Sequence, residues 1–288
     1  MKVAKPRPEL GALSTANDDV PPLDERAREL RRLLVRAMDK GGRGHLPSAA
    51  SVLDILRVLY DDVLRVKADD PKWTERDRCI LSKGHGCLAL YAILADKGFF
   101  PLAELDRFCK FDALLGGHPE VTVPGVDAST GALGHGLPIG VGMAMAARVQ
   151  GRASRVFVVM GDGEINEGSV WVAALAAGQH KLANLTAIVD YNKMQSYGPT
   201  RDIADLESLT QKWRAFNFAV REVNGHDIEG LRAVLGSAPF APDRPSALIC
   251  HTVKGRGFGA VEHDASWHHK SKLAPQVVEQ LLQSLEDA

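Results

Sequence analysis

Cysteine is scarce in this 288-residue sequence: Cys79, Cys87, Cys109 and Cys250 are too scattered for a disulfide framework, and no C-x-x-C pair suggests zinc. A reducing compartment is the simplest setting for such a chain. Long apolar runs are missing as well, none approaching the ~20 residues that a membrane-spanning helix needs. Neither sign of charge dominates, with 35 basic residues against 36 acidic and a net charge of −1. That balance gives no footing to nucleic acid or an anionic membrane as the main partner. The first 22 residues lack any apolar block and carry four prolines and the adjacent Asp18 and Asp19. They do not read as a signal peptide. They are expected to be a flexible arm on a cytoplasmic protein. No repeat, low-complexity block or strong linker divides the rest, so one domain is expected over 23–288.

What is present is ordinary for a soluble globular chain, 45% hydrophobic and 25% charged. Helical spacing begins after Pro21-Pro22, with Leu23, Ala27, Leu30, Leu33, Leu34 and Ala37 recurring every three or four positions. Gly41-Gly42 ends it. A second helical pattern covers 48–63. Further along, short apolar runs at 79–82, 155–160, 185–190, 219–223 and 247–253 predict strands. Helical patterns are expected at 87–97, 139–150, 167–181, 205–216, 227–235 and 275–285. Continuous apolar strands alternating with helices predict an α/β fold, a parallel β-sheet flanked by helices on both faces.

Such sheets bind ligands at the carboxyl ends of their strands. Here polar or Gly-rich segments follow the strands repeatedly: Lys83-Gly84-His85, Gly161-Asp162-Gly163, Tyr191-Asn192 and Lys254-Gly255-Arg256-Gly257. Within VVMGDGEINEGSVW, the GDG alone is no more than a tight turn, because any such turn selects Gly and Asp. Asn192, 30 positions later at the end of the strand LTAIVD, completes a βαβ unit that brings both strand ends to one edge. A carboxylate and an amide oxygen are hard ligands suited to magnesium or calcium. The glycines let the backbone approach an anion, and the following helix start supplies amide donors. The pair therefore suggests a divalent metal clipping a diphosphate. The bland alternative is that Asp162 caps a helix and Asn192 ends a strand.

GDGEINEGSVWVAALAAGQHKLANLTAIVDYNKMQ resembles the thiamine diphosphate motif in the form used by the transketolase family. RGHLPSAAS, LSKGHGCLALYAIL, GGHPE, VDASTGALGHGLPIGVGMAMA, VNGHDIEGL and TVKGRGFGAVEHDASWHHK are each similar to transketolase segments, in family order, over roughly residues 24 to 275. The resemblance implies that thiamine diphosphate and Mg2+ (Ca2+ or Mn2+ substituting) are bound, with the metal on Asp162, Asn192 and the main-chain carbonyl of Met194. It implies that Gly163, His85 and Lys254 contact the diphosphate, with Ser48 nearby, and that Gly131 and Leu133 line the aminopyrimidine pocket. By the same carry-over His45, His118 and His268 face the sugar, His268 also near the diphosphate. Glu167 joins an acidic link between paired active sites; its plain alternative is a first-turn acid favoured by the helix dipole. Neutral or shared-proton histidines suit the proton transfers of two-carbon exchange near pH 7. The plain readings assign His180 and His226 to surface or core, His251 to packing, and leave His135, where the family commonly has glutamine, structural. Asp227 reads as an N-cap.

Some positions depart from the family pattern. Val172 stands where a glutamate is usual after Trp171, His269 where a glycine is usual, and Pro47-Ser48-Ala49-Ala50 is a less usual loop after His45. Transketolases also need a pyrimidine-binding domain, which contributes the glutamate that activates the cofactor, and a further C-terminal domain. The expectation is therefore the N-terminal subunit of a split transketolase, paired as α2β2 with a separate chain carrying the pyrimidine domain, inactive alone and acting on sugar phosphates. Two alternatives stay open: a biosynthetic subunit passing the two-carbon unit to a carrier-protein thiol (an acyl carrier protein as partner) or an unusual sugar, and a non-catalytic cofactor-binding subunit.

Overall fold

The structure, a computed structural model, describes residues 20–288. The expected N-terminal arm falls largely on residues 1–19, outside the described residues. Asp24 starts helix α1 (Glu25–Gly41) by accepting a 2.7 Å hydrogen bond from the Ala27 N–H, and Gly42, at φ +69°, stops it. The two-residue strand β1 (Arg43–Gly44) follows, then α2 (Leu46–Val58), which carries Pro47 in its first turn, where a missing N–H is harmless. The apolar run anticipated to 63 continues as a π-turn over Leu59–Val63.

Beyond it come β2 (Arg78–Leu81), α3 (Cys87–Asp96), α4 (Gly136–Val149), β3 (Val156–Gly161), α5 (Gly168–Gln179) and β4 (Leu185–Tyr191). The remainder comprises α6 (Thr200–Ile203), α7 (Leu209–Ala215), β5 (Ala219–Asn224), α8 (Ile228–Gly236), β6 (Ser246–His251), β7 (Lys270–Ser271) and α9 (Pro275–Ser284). Asp227 caps α8, its side chain accepting from the Gly230 N–H at 3.1 Å.

β2 through β6 form one parallel sheet in the order β2-β3-β4-β6-β5. Residues along each inner strand alternate between two cores. Phe157 and Val159 pack with Leu34, Leu53 and Leu90 of α1, α2 and α3. Val158 and Met160 pack with Leu137, Val170 and Trp213 of α4, α5 and α7. Both faces are therefore covered, which is why these strands read as continuous apolar runs rather than alternating ones.

Two local expectations need correction. The helix anticipated over 205–216 starts late: residues 205–208 are not helical, and α7 begins at Leu209 after its N-cap Ser208. Glu207 accounts for the late start, since its carboxylate accepts from the Tyr191 hydroxyl (2.6 Å) and from the Leu209 N–H (3.2 Å). The second correction is an addition. β1 and β7 pair antiparallel as a small ribbon, Arg43 opposite Ser271 and Gly44 opposite Lys270, which two-residue strands leave no periodicity to reveal.

Candidate active site

At the carboxyl edge of the sheet, the segments that follow β2, β3, β4 and β6 converge on a cavity of about 240 Å³. Its walls include His45, Ser48, His85, His118, Gly131, Leu133, Asp162, Gly163, Asn192, Met194, Lys254 and His268. The structure thus brings together every residue expected at the site except Glu167. That residue is exposed at the start of α5, makes no capping hydrogen bond, and packs beside Gly134.

Asp162 is buried at the end of β3, its carboxylate accepting from the N–H groups of Gly163 (2.7 Å) and Lys193 (2.6 Å). Burial, and then the neighbouring Asp190, push its pKa up to about 7. A carboxylate so short of positive charge is suited to a cation. Asn192 and Met194 lie on the same wall. The Met194 carbonyl already accepts from the Lys254 ammonium at 3.1 Å. Among the described residues no group of three or more His, Cys, Asp or Glu side chains is placed to hold a metal, and this trio contains one such side chain.

Facing these oxygens is a wall of donors. Lys254 is brought down to about 8 by burial and by Lys83, and its Nζ lies 3.4 Å from His268 Nδ1. The Gln195 side-chain nitrogen is buried without a partner. An orphaned donor beside a lysine and the Gly163 backbone fits a phosphate-bearing ligand. Gly131, at φ +147°, lies against His118, where a Cβ would approach the imidazole to 3.0 Å.

His45, His85 and His268 cluster above this floor with ring centroids 5.4–5.8 Å apart, and His269 joins at 4.8 Å from His45. Burial, followed by the positive and imidazole neighbours, depresses all three inner rings. His45 falls to about 3 and His268 to about 4, while His85 lies well below the usual imidazole range. Near neutral pH they are uncharged and able to accept or relay a proton.

Several contributors escaped the sequence reading. Lys83 and Asp190 form a fully buried ion pair, with Lys83 also donating to the Ser48 carbonyl at 3.0 Å. Burial alone would raise Asp190, but Lys83, Ser51 and Thr252 hold it below the usual carboxylate range. The signal was a charge at the end of a fully buried, mostly apolar strand. Glu164, just after GDG, accepts from Ser82 Oγ and from the N–H groups of Gly134 (3.0 Å) and Gly161 (3.1 Å), and burial raises its pKa. It ties three loops of the site together. The four histidines set aside do stand apart. His226 is a satisfied core residue, bonded to Asp54 at 2.8 Å and to the Val253 N–H at 2.9 Å. His251 pairs with Glu222 at 2.8 Å, and His135 and His180 are exposed at helix ends.

An α/β sheet presenting a metal-suited carboxylate, phosphate donors and neutral histidines at one rim defines a cofactor-dependent enzyme domain. Residues 24–286 match the family model described as transketolase, thiamine diphosphate binding domain. The chain is 43% identical to a subunit of the apulose-4-phosphate transketolase of Phocaeicola vulgatus, over 89% of this chain and 92% of that protein. It is 38% identical to the 6-deoxy-6-sulfo-D-fructose transketolase subunit SqwG of a Clostridium species, over 86% and 90%. The transketolase structure from Campylobacter jejuni superposes with a TM-score of 0.84 at 30% identity, over 91% of this chain and 42% of that one. The chain belongs to the transketolase family, matching its thiamine diphosphate-binding domain, and is a transketolase-type transferase.

Proposed function

We propose that this subunit forms the diphosphate-binding half of an α2β2 transketolase that carries a two-carbon ketol unit from a ketose phosphate to an aldehyde acceptor. The observation that carries this reading is the convergence of twelve residues expected at the site on one cavity. Asp162, Asn192 and the Met194 carbonyl would hold magnesium; Lys254, His85, Gly163 and Gln195 would meet the diphosphate, with Ser48 beside it. Bound thiamine diphosphate supplies the electron sink for carbon–carbon cleavage. The chain's own task is placement and proton handling. His45, His118 and His268 orient the sugar, and the neutral rings take a hydroxyl proton from the donor and return one to the acceptor's oxygen. The burial of Lys83 in the cavity wall keeps its hydrogen bonds strong.

The commitment of the cavity's own carboxylates supports the need for a partner. Glu164 is held by Ser82 and two backbone N–H groups, and Asp162 faces the metal site. With both engaged, the reading assigns the glutamate that activates the aminopyrimidine to a second subunit. An apolar surface supports pairing of two copies: Val172 and Leu175 on α5 are 70% and 61% exposed beside Ile139 of α4. Four free cysteines and the lack, among the described residues, of any helix able to cross a membrane are in keeping with a cytoplasmic setting.

The test mixes the purified chain and its pyrimidine-domain partner with thiamine diphosphate and magnesium. Donors include apulose 4-phosphate and 6-deoxy-6-sulfofructose, the sugars that appear in the relatives' names. Acceptors include aldehyde phosphates and a carrier-bound thiol. Two-carbon transfer to an aldehyde is the expected outcome. Transfer only to the thiol would move the reading to the biosynthetic alternative, and no product with any pair would end it. Asp162→Ala should abolish magnesium-dependent cofactor binding by calorimetry; retained affinity would return Asp162 to the status of a turn residue.

A further inference from the structure

Among the described residues, imidazole rings rather than hydrogen-bond partners surround His45: His85, His268 and His269 contact it edge-on at 5.4, 5.4 and 4.8 Å. His269 is the nearest of the three and the most exposed. Its place follows from the β1–β7 ribbon. Gly44 pairs with Lys270, and the same register carried one step further sets His45 opposite His269. Directly opposed residues on antiparallel segments stand close enough for their side chains to pack. The interplanar angle of 60° is the edge-to-face geometry that aromatic rings prefer.

We propose that His269 is a positioning residue for two-carbon transfer, its ring packing against His45 from the β7 side, fixing the plane of that imidazole and closing its outer face to water. The inference rests on the transketolase reading for its chemical purpose, while its geometry stands alone. His45 otherwise faces His85 after β2, His118 in the loop leading to Gly131, Lys254 after β6, and His268. No carboxylate is in that set, so nothing in it favours an imidazolium. With His269 in place the ring remains a neutral acceptor for a substrate hydroxyl. Without it, water reaches the outer face and one repulsive neighbour is lost.

Full-length His269→Gly and His269→Phe chains, labelled with 13C-histidine, test this by NMR titration, with His45 assigned through His45→Gln. In the parent, His45 is expected to stay neutral down to the acid limit of the fold. In His269→Gly its midpoint should rise by about one pH unit or more as solvent and charge balance change. In His269→Phe the restored wall should keep it low. The titration needs no turnover, so loss of the transfer reading would leave it intact. In the assembled enzyme, His269→Gly should lower kcat on the order of tenfold with donor KM little changed, and His269→Phe should recover most of that loss. An unshifted His45 in His269→Gly, or a phenylalanine that fails to restore the parent titration, overturns the proposal.

Discussion

Lys83 and Asp190 show how one buried pair can hold the wall of a site together. The pair joins the end of β2 to the end of β4, and through Ser48 and Ser51 reaches the first turns of α2. Removing one member leaves the other charged and dry, a change that typically costs about 3–5 kcal/mol. Lys83→Ala should therefore lower denaturant stability by that order, and Lys83→Met with Asp190→Leu should recover most of the loss. Equal destabilisation in the double variant would mean that packing, not charge, is at stake. The histidines make a second residue-level case. Their folded pKa values, about 3 for His45 and about 4 for His268, lie below the unfolded value of roughly 6.5. Below that unfolded value the unfolded chain binds more protons, so stability falls as pH drops from about 6.5 towards 4 and is regained above. Melting temperature against pH should show this slope, and His45→Gln should flatten it. An unchanged profile would contradict the depressed values.

At the scale of elements, the site is a set of loop crossings held at fixed clearance. Gly84, in the 3-10 turn after β2, lies beneath the Thr130-Gly131 backbone, where a Cβ would come within 2.8 Å of the Gly131 nitrogen. Gly84→Ala must lift that loop, and with it Gly131 and Leu133. Weaker cofactor binding by about tenfold, roughly 1.4 kcal/mol, is expected in calorimetry with little change in fold. Cofactor affinity equal to the parent's would show the loop to be compliant. This level also marks where the sequence reading succeeded and stopped. Strands such as 155–160 and 185–190 were legible because both faces are buried, and the loops after them because polar residues sat where apolar runs ended. Glu207's side-chain bonds, which delay the start of the helix expected over 205–216 until Leu209, carry no periodic signature. Nor does the β1–β7 ribbon, which depends on residues far apart in sequence. Lys83, Asp190 and Gln195 act through neighbours that only the fold supplies, whereas Asp162 and Asn192 were proposed from their spacing and the other ten positions that line the cavity from motif resemblance.

For the whole molecule, the exposed face of α4 and α5 has the greatest consequence. Val172 stands where the family pattern places a glutamate, and with Leu175 and Ile139 it makes that face apolar. Val172→Asp, placing a charge in a surface we assign to pairing of two copies, should shift sedimentation from dimer towards monomer while leaving the stability of the isolated chain within about 1 kcal/mol of the parent's. A sedimentation coefficient identical to the parent's would move the pairing surface elsewhere.

The ribbon also bears on biosynthesis. β1 leaves the ribosome early and β7 near the end of the domain, yet the two must pair before His45, His268 and His269 can meet. Closing so long a loop adds little equilibrium entropy beyond that of a shorter one, but it comes late in order of contact formation. Completing the histidine cluster therefore awaits the synthesis of β7 and the residues just before it, and a nascent chain halted short of them would own most of the residues of the phosphate cradle while lacking His268 and His269.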